Sequence, residues 1–302
     1  MDIWGRCEIH PLVVIAIISG VILTTTLFRN YSETAISEKF YNSLMAWSLF
    51  ILFWEGTIYL EIIKSMLLAP PSVILTKAFY FLEKGYLQIN IVSTLRRFVA
   101  GFFIALVLAV PLGIALGLFR KAYEWIAPLL DFIRMIPPPA ILPFAIILLG
   151  IGESPAVFVI ALGCFFPVLL NTVQGVREAE KLHVEVVQTL GGDRMDVLRH
   201  VIVPSALPTI LTGIRIGFGI GWLVLVSAEI VAADSGLGFM IEGARNRLET
   251  PTVFVGMMTV CAMGLAMDVF LKKIEGFFIL RRGGGFLQLE SGITKINKKN
   301  NL

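Results

Sequence analysis

The chain has 302 residues, 57% of them hydrophobic and 16% charged, and carries a formal net charge of +3. A soluble domain is about 45–50% apolar and about 25% charged, so this composition argues against a soluble globule and for the bilayer. The basic residues lie in polar gaps and in the C-terminal tail, a positive-inside pattern that argues against a nucleic-acid patch.

Apolar runs fall at residues 11–28, 44–63, 98–119, 139–152, 154–173, 209–232 and 252–271. At 1.5 Å per residue, most can cross a hydrocarbon core about 30 Å thick. The run at 11–28 is longer than a usual signal-peptide core and is not followed by an A-x-A site, so it reads as a retained hydrophobic helix. In the long gap 64–97, the stretch "PSVILTKAFYFLEKGYL" reads as an amphipathic helix on the outer face. The segment from Pro137 to Val173 has prolines at its entry and Gly150, Gly152 and Pro155 at its middle. It reads as two short spans joined by a tight turn at Gly150–Ser154.

Lys and Arg give the orientation. Arg120, Lys121 and Arg134, then Arg177, Lys181, Arg194 and Arg199, then the tail residues Lys272, Lys273, Arg281, Arg282, Lys295, Lys298 and Lys299 mark three cytoplasmic gaps. The gap 64–97 disagrees, because it falls outside yet holds Lys64, Lys77, Lys84, Arg96 and Arg97.

Two runs carry small residues every fourth position: Gly101, Ala105, Ala109, Gly113 and Gly117, then Gly213, Gly217 and Gly221. In lipid such stripes let a second helix approach closely, either within one chain or between subunits. Among ionisable residues inside runs, Glu229 stands near the outer end of its span. With Ser227 it is a candidate for a pathway or gate; the plainer reading is a carboxylate bonded to a neighbouring helix. Asp268 has Lys272 at i+4 and reads as a structural pair, and Arg215 is placed to snorkel. Cys7, Cys164 and Cys261 and the histidines His10, His183 and His200 have no metal-ligand spacing, and Cys164 and Cys261 read as packing residues. No set of paired carboxylates or nucleophile and base occurs within a span, which argues against an enzyme.

One long polar segment interrupts this apolar chain, "EVVQTLGGDRMDVLRHVIVPSALP". Val184, Val187 and Leu190, with Val186 beside them, form one apolar stripe, and Gly191 and Gly192 permit the left-handed geometry that ends a helix. Asp193 is a good N-cap for a second helix, whose apolar face is Met195, Val197, Leu198, Val201 and Ile202 and which Pro204 stops. Two short helices joined at glycines make a knob suited to a socket on a soluble partner. Alone, the pattern also reads as a DNA-binding helix-turn-helix or an unpartnered loop, and the flanking spans disfavour the first.

The same segment resembles the EAA loop of ABC-importer permeases, E-A-A, three residues, G, nine residues, I-x-L-P. Glu185, Val186, Val187, Gly191, Val201, Val203 and Pro204 fall on the pattern positions, with valines for both alanines, for Ile and for Leu. "STLRRFVAGFFIALVLAVPLGIALGL", "IPPPAILPFAIILLGIGES", "FFPVLLNTVQGV" and "PSALPTILTGIRIGFGIGWLVLVSAEIVAADSGLGFMI" are similar to the branch handling nitrate, sulfonate, taurine and bicarbonate. Some relatives of that branch carry pyrimidine-type vitamin precursors.

The resemblance implies an all-α polytopic membrane protein, a type I (MetI-like) bundle of about six spans, with 11–28 as an extra helix. Its expected organisation is 1–43 as the extra helix and connector, and 44–97 as first core span and outer amphipathic segment. The permease core follows at 98–276 with its coupling loop at about 177–208, and 277–302 forms a basic tail. It implies a homodimer in the plasma membrane, bacterial inner or archaeal, with the loop and C-terminus cytoplasmic. The loop would dock on two ABC ATPase subunits, and an external solute-binding protein would deliver the solute. Coupling is expected of Glu185, Val186, Val187, Gly191, Gly192, Asp193, Val201 and Pro204. ATP and Mg would bind the partner, because this chain has no G-x-x-x-x-G-K-[ST]. A secondary transporter or channel is the alternative, and would leave the polar loop unexplained.

Overall fold

The computed structural model describes residues 35–60, 62 and 67–283. The run at 11–28 and the lysines at 295, 298 and 299 lie outside the described residues. The chain order is α1 (Ala35–Tyr59), α2 (Pro71–Glu83), α3 (Tyr86–Leu118), α4 (Arg120–Arg134), α5 (Pro138–Leu149) and α6 (Glu153–Arg177). Then come α7 (Lys181–Thr189), α8 (Arg194–Val197), a π-helical turn (Leu198–Ile202), α9 (Val203–Ala232), α10 (Leu237–Asn246) and α11 (Thr250–Gly283). Among the described residues four helices are long and apolar enough to cross a membrane: α3, α6, the continuous helix Arg194–Ala232, and α11 over Thr250–Gly276. The bent pair α4 and α5 makes a fifth if it counts as one broken span. The helix over the expected run at 44–63 starts earlier, at Ala35, and Ser48 and Glu55 interrupt the apolar run.

Two units divide the chain, one formed by residues up to Thr94 with Asp234–Val260, the other by Leu95–Ala233 with residues from Cys261 onward. In the first unit buried Glu55 of α1 accepts hydrogen bonds from the backbone N–H of Ser72 at 3.2 Å and from its hydroxyl at 2.7 Å. A carboxylate at the N-terminus of α2 meets free amides there, which is why it is tolerated in burial. In the same unit the start of α10 takes its caps from α3. The Gly236 N–H donates to Asn90 Oδ1 at 2.9 Å and the Leu237 N–H to Thr94 Oγ1 at 2.8 Å.

The second unit is built around α6, whose Ala156, Val159, Ile160, Cys164, Val168 and Leu169 have no exposed surface. Both small-residue stripes lie against it. A Cβ added at Gly113 would come within 2.6 Å of Thr172 Cβ, one at Gly117 within 2.6 Å of Val176 Cβ, and one at Gly213 within 2.5 Å of Asn171 Cβ. Lipid offers no hydrophobic drive for one helix to join another, so dispersion at close range holds the three together, and only hydrogen fits at these contacts.

The structure departs from expectation in five places. The turn at Gly150–Ser154 forms, with Gly150 at φ 81° and Gly152 at φ 133°. The helices beside it are not two short spans, however. α5 has only 12 residues, about 18 Å, whereas α6 has 25, about 37 Å, and is long enough to cross. The entry Pro137–Pro139 is a 90° bend from α4, an amphipathic helix in a stretch read only as a polar gap. Arg96 and Arg97 stand inside α3, which begins at Tyr86 and runs for 33 residues. Pro204 does not stop a helix. It lies in the first turn of α9, and the helix reaches it unbroken through the π turn, where the Val203 N–H bonds Leu198 O. Widening the ladder by one residue gives the proline ring room without a break. Cys261 is exposed, unlike Cys164.

Candidate functional site

The segment between α6 and α9 builds a rigid corner. Helix α7 ends when the Gly191 N–H bonds Gln188 O at 3.0 Å and the Gly192 N–H bonds Val187 O at 2.9 Å, the paired pattern of a Schellman motif. Gly191 adopts φ 85°, which an L side chain resists. At Gly192 a Cβ would lie 2.6 Å from Val187 Cγ1 and 2.9 Å from Val187 O, so the second glycine is needed for space. The next helix opens with a reciprocal cap. Asp193 Oδ1 accepts from the Asp196 N–H at 2.7 Å, and the Asp193 N–H donates to Asp196 Oδ2 at 3.0 Å.

The Asp196 amide holds the Asp193 carboxyl below the usual carboxylate range. A carboxylate with a lowered folded value contributes its full stabilisation above its unfolded pKa and loses it as pH falls through the lowered one. The cap is therefore in place at neutral pH.

Val197 and Val201 turn inward and anchor the corner, each less than a tenth exposed. Leu190 is 82% exposed, Leu182 66%, and Val186 and Met195 49% each. Glu185 and Asp193 are exposed beside them. A polar segment that presents this much hydrocarbon to water is shaped for contact.

A second constellation lies at the far end of α9. Glu229 is fully buried and its Oε1 accepts from Arg97 Nη1 of α3 at 3.1 Å, with no exposed surface on either side chain. Arg97 Nη2 also reaches Glu153 Oε1 at the start of α6, at 3.4 Å, and exposed Arg96 pairs with the same carboxylate. Three helices thus meet in one charge cluster. Ser227, two residues from Glu229, lies on another face of α9, partly exposed, and its hydroxyl donates to Leu223 O at 3.4 Å. The two pathway candidates are therefore not brought together.

Toward the opposite end, Arg215 reaches Asp268 at 3.6 Å and Glu275 at 3.5 Å, and Lys272 pairs with Asp268 at 2.5 Å. Arg215, Asp268 and Glu275 line an open cavity of about 550 Å³, whose apolar lining includes Phe218 and Trp222.

Sequence reasoning missed Arg97 as the partner of Glu229. The signal was the gap that broke the charge rule: a doublet next to an apolar run is read as loop, while the helical phase of "INIVSTLRRF" allows one arginine in and one out. It also missed α4.

A family model described as binding-protein-dependent transport system inner membrane component matches residues 105–277. The taurine transport system permease protein TauC of Escherichia coli is 34% identical over 74% of this chain and 82% of its own length. The bicarbonate transport system permease protein CmpB of Synechococcus elongatus is 32% identical over 66% of this chain and 73% of its own. Among solved structures, the MetNI methionine ABC transporter in an inward facing conformation superposes with a TM-score of 0.56 at 18% identity, covering 65% of this chain and 97% of that one. The all-helical bundle, the corner between α6 and α9 and these matches agree: the chain belongs to the binding-protein-dependent transport system inner membrane components, the permease subunits of ABC importers.

Proposed function

We propose that this permease works as a homodimer that takes up a small oxyanion or an organic sulfonate, and that its corner from Glu185 to Pro204 is the loop that docks on the ATPase. As an importer permease it acts with an ATPase and a solute-binding protein, and hydrolysis belongs to the ATPase. One observation carries the docking reading: Leu182, Val186, Leu190 and Met195 stand exposed on a corner held rigid by a Schellman motif and a capping box. The match of that corner to the EAA pattern supports it. The substrate class rests on the relatives, two of which are named for taurine and bicarbonate. The loop and the C-terminus are assigned to the cytoplasm, where the basic gaps collect.

Replacing Gly191 is an ambiguous test, because a side chain there strains the backbone at φ 85° whatever it touches. Leu190→Glu is cleaner, since that side chain is 82% exposed and supports nothing within the chain. Co-expressed with its ATPase, the variant should melt like wild type yet retain at most about a tenth of the ATPase on purification, as expected when a charge enters the apolar centre of an interface. Undiminished recovery would remove the corner from the interface.

A further inference from the structure

We propose that the rim where α3, α4 and α6 meet is a binding site for the phosphate headgroup of an anionic lipid, with Arg177 as its principal ligand. A cavity of about 690 Å³ opens there, lined by Arg120, Tyr123, Glu124, Asp131 and Arg177 among others. Its carboxylates are already used. Glu124 pairs with Arg120 at 2.9 Å and Asp131 with Arg134 at 2.9 Å. Arg177 has no carboxylate within ion-pair distance among the described residues; its guanidinium carbon sits over the Tyr123 ring, 4.1 Å from the centroid. The cation–π contact holds the guanidinium against the ring and leaves N–H groups on its outer edge, which can take a phosphate oxygen pair. Lys121, in the first turn of α4, adds a second cation with no carboxylate in ion-pair reach among the described residues.

Position selects lipid over other anions. α6 spans 25 residues, about 37 Å, so its last residue, Arg177, stands beyond a hydrocarbon core of about 30 Å, at headgroup level. α4 starts where α3 ends and makes a 90° angle with α5. The side of α4 away from the cavity exposes Trp125 at 87%, Leu129 at 58% and Phe132 at 70%, at i, i+4 and i+7. An amphipathic helix with Trp and Phe on one side and cations at its edge is built for the interface, with acyl chain along the apolar side and headgroup over the polar one. Arg177 is also four residues from Lys181, where the docking corner begins. A lipid held here would touch the base of that corner.

The test uses the full chain in neutral detergent with native mass spectrometry, offering phosphatidylglycerol and phosphatidylcholine of equal chain length. Wild type should retain phosphatidylglycerol several-fold over phosphatidylcholine. Arg177→Gln should lower that preference about fivefold, the share of one basic residue at an anionic surface. Arg177→Lys should restore part of it, and Arg245→Gln, in the α10 turn, should leave it unchanged. Melting points of all variants should match wild type because both side chains are exposed. Equal retention of the two lipids by wild type, or a preference that survives Arg177→Gln, overturns the site. So does loss of ATPase co-purification in Arg177→Gln with lipid preference intact, which would assign the cation to a protein partner. Inorganic phosphate competing as well as phosphatidylglycerol would also overturn it, since the acyl chain would then contribute nothing.

Discussion

Glu229→Leu should destabilise the purified permease by about 3–5 kcal/mol, the usual consequence of removing one partner from a buried ion pair. Arg97 and Glu229 have no exposed surface and meet at 3.1 Å, so the variant leaves a guanidinium in the bundle with the 3.4 Å contact to Glu153 in place of its own carboxylate. The cost comes from a buried charge that has lost its 3.1 Å partner. Arg97→Leu should cost a comparable amount for the same reason. The pair replaced together, Arg97→Leu with Glu229→Leu, should recover most of the loss, because two leucines need no solvation. The double-mutant cycle in thermal melts then gives a coupling of at least about 2 kcal/mol. Losses that simply add would mean that the pair contributes nothing as a pair. If the double variant melts like wild type yet fails to transport, the pair serves the transport cycle and not the stability of the bundle.

Gly213→Leu should prevent the permease from accumulating in the membrane, while Gly219→Leu, on the same helix, should leave its melting unchanged. A Cβ at Gly213 would stand 2.5 Å from Asn171 Cβ and 3.1 Å from the Pro167 carbonyl, atoms that move only with the backbone of α6. At Gly219 nothing lies within 4 Å. Overpacking of a tight contact costs about 1–3 kcal/mol when neighbours can shift, and more where, as here, the neighbour is backbone. The readout is the amount of folded protein extracted from membranes and its melting temperature. Equal behaviour of the two variants would show that the stripe at Gly213, Gly217 and Gly221 is not a contact that the fold depends on. A Gly219→Leu variant that melts normally but no longer transports would locate the open face of α9 at a subunit interface or along the pathway.

Much of this was readable before any coordinates, for reasons that differ between elements. The runs over 98–119, 154–173, 209–232 and 252–271 are visible because a span is a local property: length and hydropathy suffice. The corner is visible because its features are local too. A Schellman turn needs glycines, and Asp193 needs an amide three residues ahead. The partner of Glu229 was not visible, since 132 residues separate it from Arg97 and nothing in either neighbourhood names the other. Arg97 was further disguised by Arg96, whose exposed charge gave the doublet the look of a loop. α4 was hidden because five charged residues made its stretch look like a gap, although they share the helix with Trp125, Leu129 and Phe132 at helical spacing. Pro204 misled because a proline after a helical pattern normally ends it, and only the wider π turn shows how the ladder passes through.

That turn has a consequence for how movement passes along the chain. From Arg194 to Ala232 the backbone is one unbroken rod of 39 residues, about 58 Å long. Its hydrogen-bonded ladder runs without a break from the corner to the buried carboxylate near its far end, through the π turn and past Pro208. The Leu198–Ile202 turn acts as a phase setter. One residue more than a regular ladder needs is folded into it, and each residue stands for about 100° of rotation. The azimuth of the Glu185–Pro204 corner relative to the faces of the span is thus set by a single residue's worth of winding. Length there is constrained more tightly than identity: a side chain can change, but the count cannot.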